Sequence, residues 1–374
     1  MRSSLVSRSA AAVKAQSNVA PLTSKLQNGL TVVAQDNNKP ISQLILAFRA
    51  GSRYQTVNQE GLVHHIRNFV GRDAQSYPGL QLVWSSASSG ANLSSFVSRD
   101  VFGVKISVAR EDVPHALSIL GHVAAKPAFK PWELEDVLPT VYADLAQKTP
   151  YGILYEDIHR AAFRNDSLSL SLYASKNQVG TYKTDELAKF ANKHFVSGNG
   201  ALIGINVEQS VLTAYAEESG AIAAGRHVPN HGAPFRGGDY RRFARGNNVH
   251  VMIAGDGAGI TDLKARAVQT VFLAHIGRVS PLQFASLPGS TSALAKLPEG
   301  TAGSAFQAVH DGSGLVGVYL IADASIADRV QQNVIDEIGK VTGADVEKFA
   351  KKAFTRLAIA AYGNHGRIPY ADEI

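Results

Sequence analysis

The feature that most constrains the fold is an internal repeat. Residues 185–195 (DELAKFANKHF) align with residues 344–354 (ADVEKFAKKAF), and Lys189, Phe190, Ala191, Lys193 and Phe195 are identical to the residues 159 positions later. In both copies the apolar residues recur at helical spacing. An apolar run follows each, ALIGINV at 201–207 and LAIAAY at 357–362. Earlier in the chain, Phe102-Gly103-Val104 matches Val316-Gly317-Val318 at an offset of 214. Two matches in the same order predict duplicated α+β domains. The fall in offset from 214 to 159 makes the second copy about 55 residues shorter between those landmarks, which fits one lost helix pair.

The length of 374 residues suits two domains better than one core. Residues 29–35 and 43–53 contain short aliphatic runs ended by polar residues or Gly, and read as strands. Residues 59–71 read as a helix, with Leu62, Ile66, Phe69 and Val70 on one side. Residues 92–98 and 101–108 alternate as a hairpin, and helices follow at 111–123, 132–147, 155–163 and 184–195. From 208 to about 245, Pro229, Pro234 and several Gly mark a looser stretch. The order then resumes, with strand 249–254, helix 262–276, strand 314–321 and helix 326–339. The expected division is therefore a tail at 1–24, a first domain at 25–210, a linker at 211–245 and a shortened second domain at 246–374.

Composition removes several chemistries. There is no Cys, so disulfides, thiolate zinc sites, iron–sulfur ligation and a thiol nucleophile are excluded. Any metal would have to be held by the 12 His and the 31 acids. No apolar run approaches the roughly 20 residues that span a bilayer. The net charge of +6 is unevenly placed: Arg2, Arg8, Lys14 and Lys25 precede the first acid, Asp36, in a stretch rich in Ser. Such a segment reads as an organelle transit peptide or a disordered basic tail. Cleavage after Lys14 would bring the charge from +6 to +3, so the basic balance does not by itself point to nucleic acid.

The string with chemical content is Gly51-Ser52-Arg53, followed by Glu60-Gly61-Leu62-Val63-His64-His65-Ile66-Arg67-Asn68 at the start of the first long helix. It resembles the pitrilysin/insulinase-type metallopeptidases, whose helix carries the inverted zincin motif H-x-x-E-H. Residues i and i+4 share a helix face and chelate one zinc ion, and the Glu between them is general base for the metal-bound water. On that motif His64 matches the first ligand, but Arg67 stands in place of the Glu and Asn68 in place of the second His. A guanidinium cannot accept a proton and repels a cation. His65 points about 100° away around the helix. The family's third ligand is a Glu of a later helix, here 132–147, where Asp144 is the nearest carboxylate.

The resemblance runs from about Gly29 to the last residue. It implies two domains, each a mostly antiparallel sheet with helices packed on one face, and a degenerate zinc site formed by His64, Arg67, Asn68 and Asp144, with no metal and no other cofactor. Among the family's mitochondrial members it implies a non-catalytic structural subunit of the respiratory cytochrome b–c1 complex. The implied partners are core protein 1, cytochrome b, cytochrome c1 and the Rieske subunit, in a dimeric complex, with the chain peripheral on the matrix side of the inner membrane. A zinc-dependent peptidase and the non-catalytic subunit of the processing peptidase are the alternatives. The latter subunit carries a glycine run after the first helix of its second half, where this chain reads Gly277-Arg278-Val279-Ser280-Pro281.

Two weaker signals remain. Gly255-Asp256-Gly257-Ala258-Gly259 is similar to the opening of a dinucleotide fingerprint, but Ile260 stands where the third Gly belongs. Residues 236–246 mix Arg, Gly and aromatics as RNA-binding segments do. No RNA-binding motif accompanies them, and a linker with an edge strand accounts for them. No G-x-S-x-G occurs.

Overall fold

The computed structural model describes residues 20–230, 232–277, 292–341 and 343–373. The basic segment at 1–19 and most of the stretch after Gly277 lie outside the described residues.

The first half is built on strands β1 (Leu22–Lys25), β2 (Thr31–Gln35), β3 (Ile41–Phe48), β4 (Asn92–Val97), β5 (Phe102–Ala109) and β6 (Gly200–Ile205). They lie in the order β1-β2-β6-β3-β5-β4, with β2 parallel to β6 and the other pairs antiparallel. Period-two alternation decides which face is inside. On β3, Ser42, Leu44, Leu46 and Phe48 are buried, while Gln43, Ile45 and Ala47 are only half-buried. The buried face meets helix α3 (Val113–Ala125), whose Ala116, Leu117 and Leu120 join Leu44, Leu46, Val104, Ile106 and Leu202 in one core. Around it lie α1 (Leu62–Asn68), α2 (Gly79–Ser88), α4 (Pro131–Ala146), α5 (Pro150–Phe163), α6 (Thr184–His194) and α7 (Gln209–Glu218). Pro114, Pro131 and Pro150 stand in the first turns of α3, α4 and α5, where a missing N–H costs nothing.

The second half repeats the design. Strands β7 (Gly238–Phe243), β8 (Asn248–Gly257), β9 (Ala302–His310), β10 (Ser313–Asp323) and β11 (Ala358–Gly363) lie in the order β7-β11-β8-β10-β9. β7 is parallel to β11 and the rest are antiparallel, as in β2-β6-β3-β5-β4. Helices α8 (Leu263–Ile276), α9 (Ala327–Gly339) and α10 (Ala344–Ala353) cover one face. The duplicated α+β architecture expected from the repeat is what the chain adopts. The shortening is local: α4 and α5 occupy the interval between α3 and α6, whereas residues 340–343 alone join α9 to α10.

The stretch 211–245 is less of a linker than its Pro and Gly suggest. α7 occupies its start, burying Leu212 and Ala216 one turn apart against β2 and β6. β7 is the edge strand of the second sheet. α2 has no counterpart among the sequence expectations. Its run of Ser hides the periodicity, and it buries only Gly79, Leu82 and Ser86 while Leu80, Val83 and Trp84 face outward.

The halves are joined by α5, which belongs to the first by sequence and covers the second sheet. Leu154, Ile158, Ala161 and Ala162 pack on Met252, Ala254, Ala358 and Ala360. Polar contacts surround this seam. Arg242 on β7 donates to the fully buried Asp157 carboxylate, at 2.7 Å for one of its two bonds. His159 Nε2 lies 3.0 Å from His310 Nε2, and His310 Nδ1 lies 3.1 Å from Asp100. Asp100 also pairs with Arg53. Arg99, the largest fully buried side chain, donates to Glu156 at 2.9 Å and to the Leu168 carbonyl at 3.0 Å. Replacing Arg99 by Met leaves Glu156 buried with only the Leu172 N–H as donor, and the expected loss of unfolding free energy is about 3–5 kcal/mol. Urea denaturation reads it, and Arg99→Met combined with Glu156→Gln should recover most of the loss.

Candidate functional site

Residues 64–68 sit on α1, and their position is set from the N-terminal side. Gly61 precedes the helix at φ +95, and a Cβ there would lie 2.3 Å from the Ala174 backbone, so this turn requires glycine. Gln55 Oε1 accepts from the Gly61 and Val63 N–H groups at 3.1 and 3.0 Å, which caps the exposed end of the helix backbone. His64 and Asn68, one turn apart, therefore face α4, and Asp144 comes from that helix to meet them.

Asp144 Oδ2 accepts from His64 Nε2 at 3.1 Å and from Asn68 Nδ2 at 3.3 Å, and Arg67 lies 3.8 Å from the same oxygen. Asn68 Nδ2 also donates to the His64 carbonyl at 3.0 Å. The Ala174 N–H donates to His64 Nδ1 at 3.3 Å, which fixes the tautomer with its proton on Nε2. Both nitrogens of a neutral ring are thereby engaged. Burial, against the pull of Asp144, lowers the His64 pKa to about 4, so the imidazole is uncharged at neutral pH. His65 faces away, with Nδ1 donating to the Gly61 carbonyl at 2.8 Å and Nε2 accepting from the Gly180 N–H at 3.4 Å.

Two groups next to the site were not legible in the sequence. Tyr173 places its ring edge-on to His64 at 5.2 Å, and the Lys148 ammonium lies 4.0 Å from the centre of the Tyr173 ring. Burial and nearby Arg242 and Arg160 push the Lys148 pKa down despite Glu156 and Asp157. The loop carrying Tyr173 and Ala174 has no periodicity to reveal that it folds back over α1. The donor set is one neutral imidazole and one carboxylate, beside a guanidinium, an amide and an ammonium. Such a set can hold helices α1 and α4 together, and it offers no carboxylate base at the motif's Glu position.

The weaker motifs are taken up by the fold. Gly255 and Gly259 allow close approach: a Cβ at Gly255 would lie 2.3 Å from the Ala353 carbonyl, and one at Gly259 3.0 Å from Gly312. Arg241 reaches the carbonyls of Ile368 and Pro369 at 2.7 and 2.9 Å and stacks on Tyr370, while Arg242 holds Asp157. These guanidiniums are engaged within the protein.

Residues 31–176 match the model described as Insulinase (Peptidase family M16). The chain is 28% identical over 340 residues to cytochrome b-c1 complex subunit 2, mitochondrial, of Rattus norvegicus, covering 88% of this chain and 74% of that protein. The same protein of Homo sapiens gives the same identity and coverage. Probable mitochondrial-processing peptidase subunit alpha-1, mitochondrial, of Arabidopsis thaliana is 25% identical over 349 residues, 89% of this chain and 69% of that protein. The insulinase-type resemblance carried by residues 51–68 is thus present at the level of the domain.

Acid should weaken the fold through its buried imidazoles. His64 and His194 are both lowered to about 4 by burial. The unfolded chain, with ordinary histidines, binds more protons between about 6.5 and 4. Stability is therefore full above about pH 6.5 and falls as the pH drops toward 4. Urea midpoints at pH 7.5 and 5 should show the decrease, and the His64 ring resonances should not titrate between pH 6 and 8.

Proposed function

We propose, from the premise that residues 31–176 form an insulinase-family domain, that this chain is a non-catalytic structural subunit of the mitochondrial cytochrome b–c1 complex, in the place of its core protein 2. One observation carries the non-catalytic part. Asp144 Oδ2 and both His64 nitrogens are committed to each other, to Asn68 and to the Ala174 N–H. A zinc ion would have to displace all of these bonds and settle beside Arg67, and a zinc site needs its full set of ligands together. The residues present do not suit zinc, and no hydrolytic step runs through this site. The similarity to subunits that bear the complex's name supports the assignment to that assembly.

In this reading the chain contributes surfaces. It is peripheral on the matrix side of the inner membrane, with core protein 1, cytochrome b, cytochrome c1 and the Rieske subunit as partners in a dimeric complex. That no helix among the described residues is long and apolar enough to cross a membrane agrees with a peripheral position. The segment ahead of β1 serves as the transit peptide, and the expected boundary at 24 moves toward the N-terminus because Leu22–Lys25 pairs with β2. The first domain runs through α7 and the second begins at β7, so the stretch between them is 219–237. Electron transfer belongs to other subunits, and the chain holds no cofactor of its own.

Native electrophoresis of mitochondrial membranes in mild detergent tests the assignment. The chain should co-migrate with cytochrome b. Recovery in a soluble heterodimer with presequence-cleaving activity would replace this reading by that of a processing-peptidase subunit.

A further inference from the structure

The two sheets share one strand order, but among the described residues only the second is covered by helices on both faces. Its outer face lies under α5, whereas among the described residues no helix crosses the outer face of the first. Strand register makes the comparison position by position. Phe96 lies opposite Gly103 as Phe306 lies opposite Gly317. Ile203 sits between Ile45 and Val33 as Ala360 sits between Met252 and Tyr240. Beneath α5, Phe306 is 6% exposed and Ala360 is fully buried; on the first sheet Phe96 is 40% exposed, and Ile203, Ile45 and Val33 are half-buried.

The cause is the shortened second half. α4 and α5 lie between α3 and α6, but α9 runs almost directly into α10. The helix that would repeat α5 and cross back over the first sheet is missing from its place, and the face it would cover still carries apolar side chains.

We propose that the outer face of the first sheet is a docking site for an amphipathic α-helix of another subunit, seated across β3, β6 and β2 as α5 is seated across β8, β11 and β7. This inference rests on the reading above that the chain works inside an assembly. Where α5 meets Ala358 and Ala360, the first sheet presents Ala201 and Ile203, so the partner helix needs small residues along its contact line to reach the same separation.

Charge sets its direction. α5 begins over Tyr319, which touches Tyr151 in its first turn at 5.2 Å, and ends near Gly238, whose added Cβ would lie 3.2 Å from the Ala161 carbonyl. The position equivalent to Tyr319 is Lys105, two residues after the matched Gly. The position equivalent to Gly238 is Thr31, which borders a cavity of about 420 Å³ lined by Lys25, Arg49 and His227 with no carboxylate in its lining. Arg49 also pairs with Asp311 at 3.5 Å. Cations at that end favour the negative C-terminus of a helix. A carboxylate in the first turn of the partner helix would meet Lys105.

The chain has no Cys, so Ile203→Cys or Val33→Cys introduces a single thiol at a half-buried position. In the purified chain either thiol should react readily with a maleimide, and in the detergent-solubilised assembly at least about tenfold more slowly, as loss of access demands. A photo-crosslinking residue placed at 203 or at 96 should capture one subunit, at positions three or four residues apart on a helix. Equal labelling rates would overturn the proposal, as would crosslinks to a second copy of this chain, to its own residues or to lipid. An assembly lacking cytochrome b would defeat the functional reading alone. Unprotected thiols in an assembly that contains cytochrome b would defeat this inference alone.

Discussion

The structure depends on one helix being used by the half that did not supply it. α5 leaves the first domain's helical layer and lies on the second sheet, where Ala358, Ala360 and Ala254 keep the surface low enough for Leu154 and Ile158 to bury completely. A sheet exposed on both sides would leave much of its apolar surface in water, so the second half has no second buried face without its neighbour. Charged groups lie at the same seam, from Arg99 and Glu156 to Asp157 and Arg242. Buried pairs of this kind add little net stability, but they penalise every arrangement that leaves a charge unpaired. They thereby fix how the halves meet.

The degenerate motif fits the same picture. Residues i and i+4 of a helix present two side chains to the same place whether or not they hold a metal, and His64 and Asn68 do so here. Asn68 donates a hydrogen bond where a zinc ligand would offer a lone pair, to the His64 carbonyl and to Asp144 Oδ2. Retention of His64 needs no metal: its ring bridges α4 and the loop at 173–174. The site fastens α1, α4 and the loop at 173–174 to one another.

Much of the fold was legible because it is written twice. The helices at 184–194 and 344–353 and the strands that follow them come directly from the repeated letters, and the missing helix pair from the change in offset. Residues 64, 68 and 144 were legible as a group only through the family motif, since nothing in local periodicity links α1 to α4. Three things were hidden. α2 lacks a clean apolar period, α7 lies in a stretch whose Pro and Gly suggest a linker, and the docking of α5 on the second sheet depends on surfaces far apart in the chain. That no helix among the described residues covers the outer face of the first sheet is visible only when the two sheets are compared in register.

In the proposed reading His64, Asn68 and Asp144 form a hydrogen-bonded set, with Arg67 3.8 Å from Asp144, that serves a scaffold and not a hydrolytic centre. Metal analysis of the purified full chain after equilibration with zinc tests it most directly. The account predicts substoichiometric zinc, unchanged by replacing His64 with Gln. One zinc per chain that is lost with His64 would contradict it.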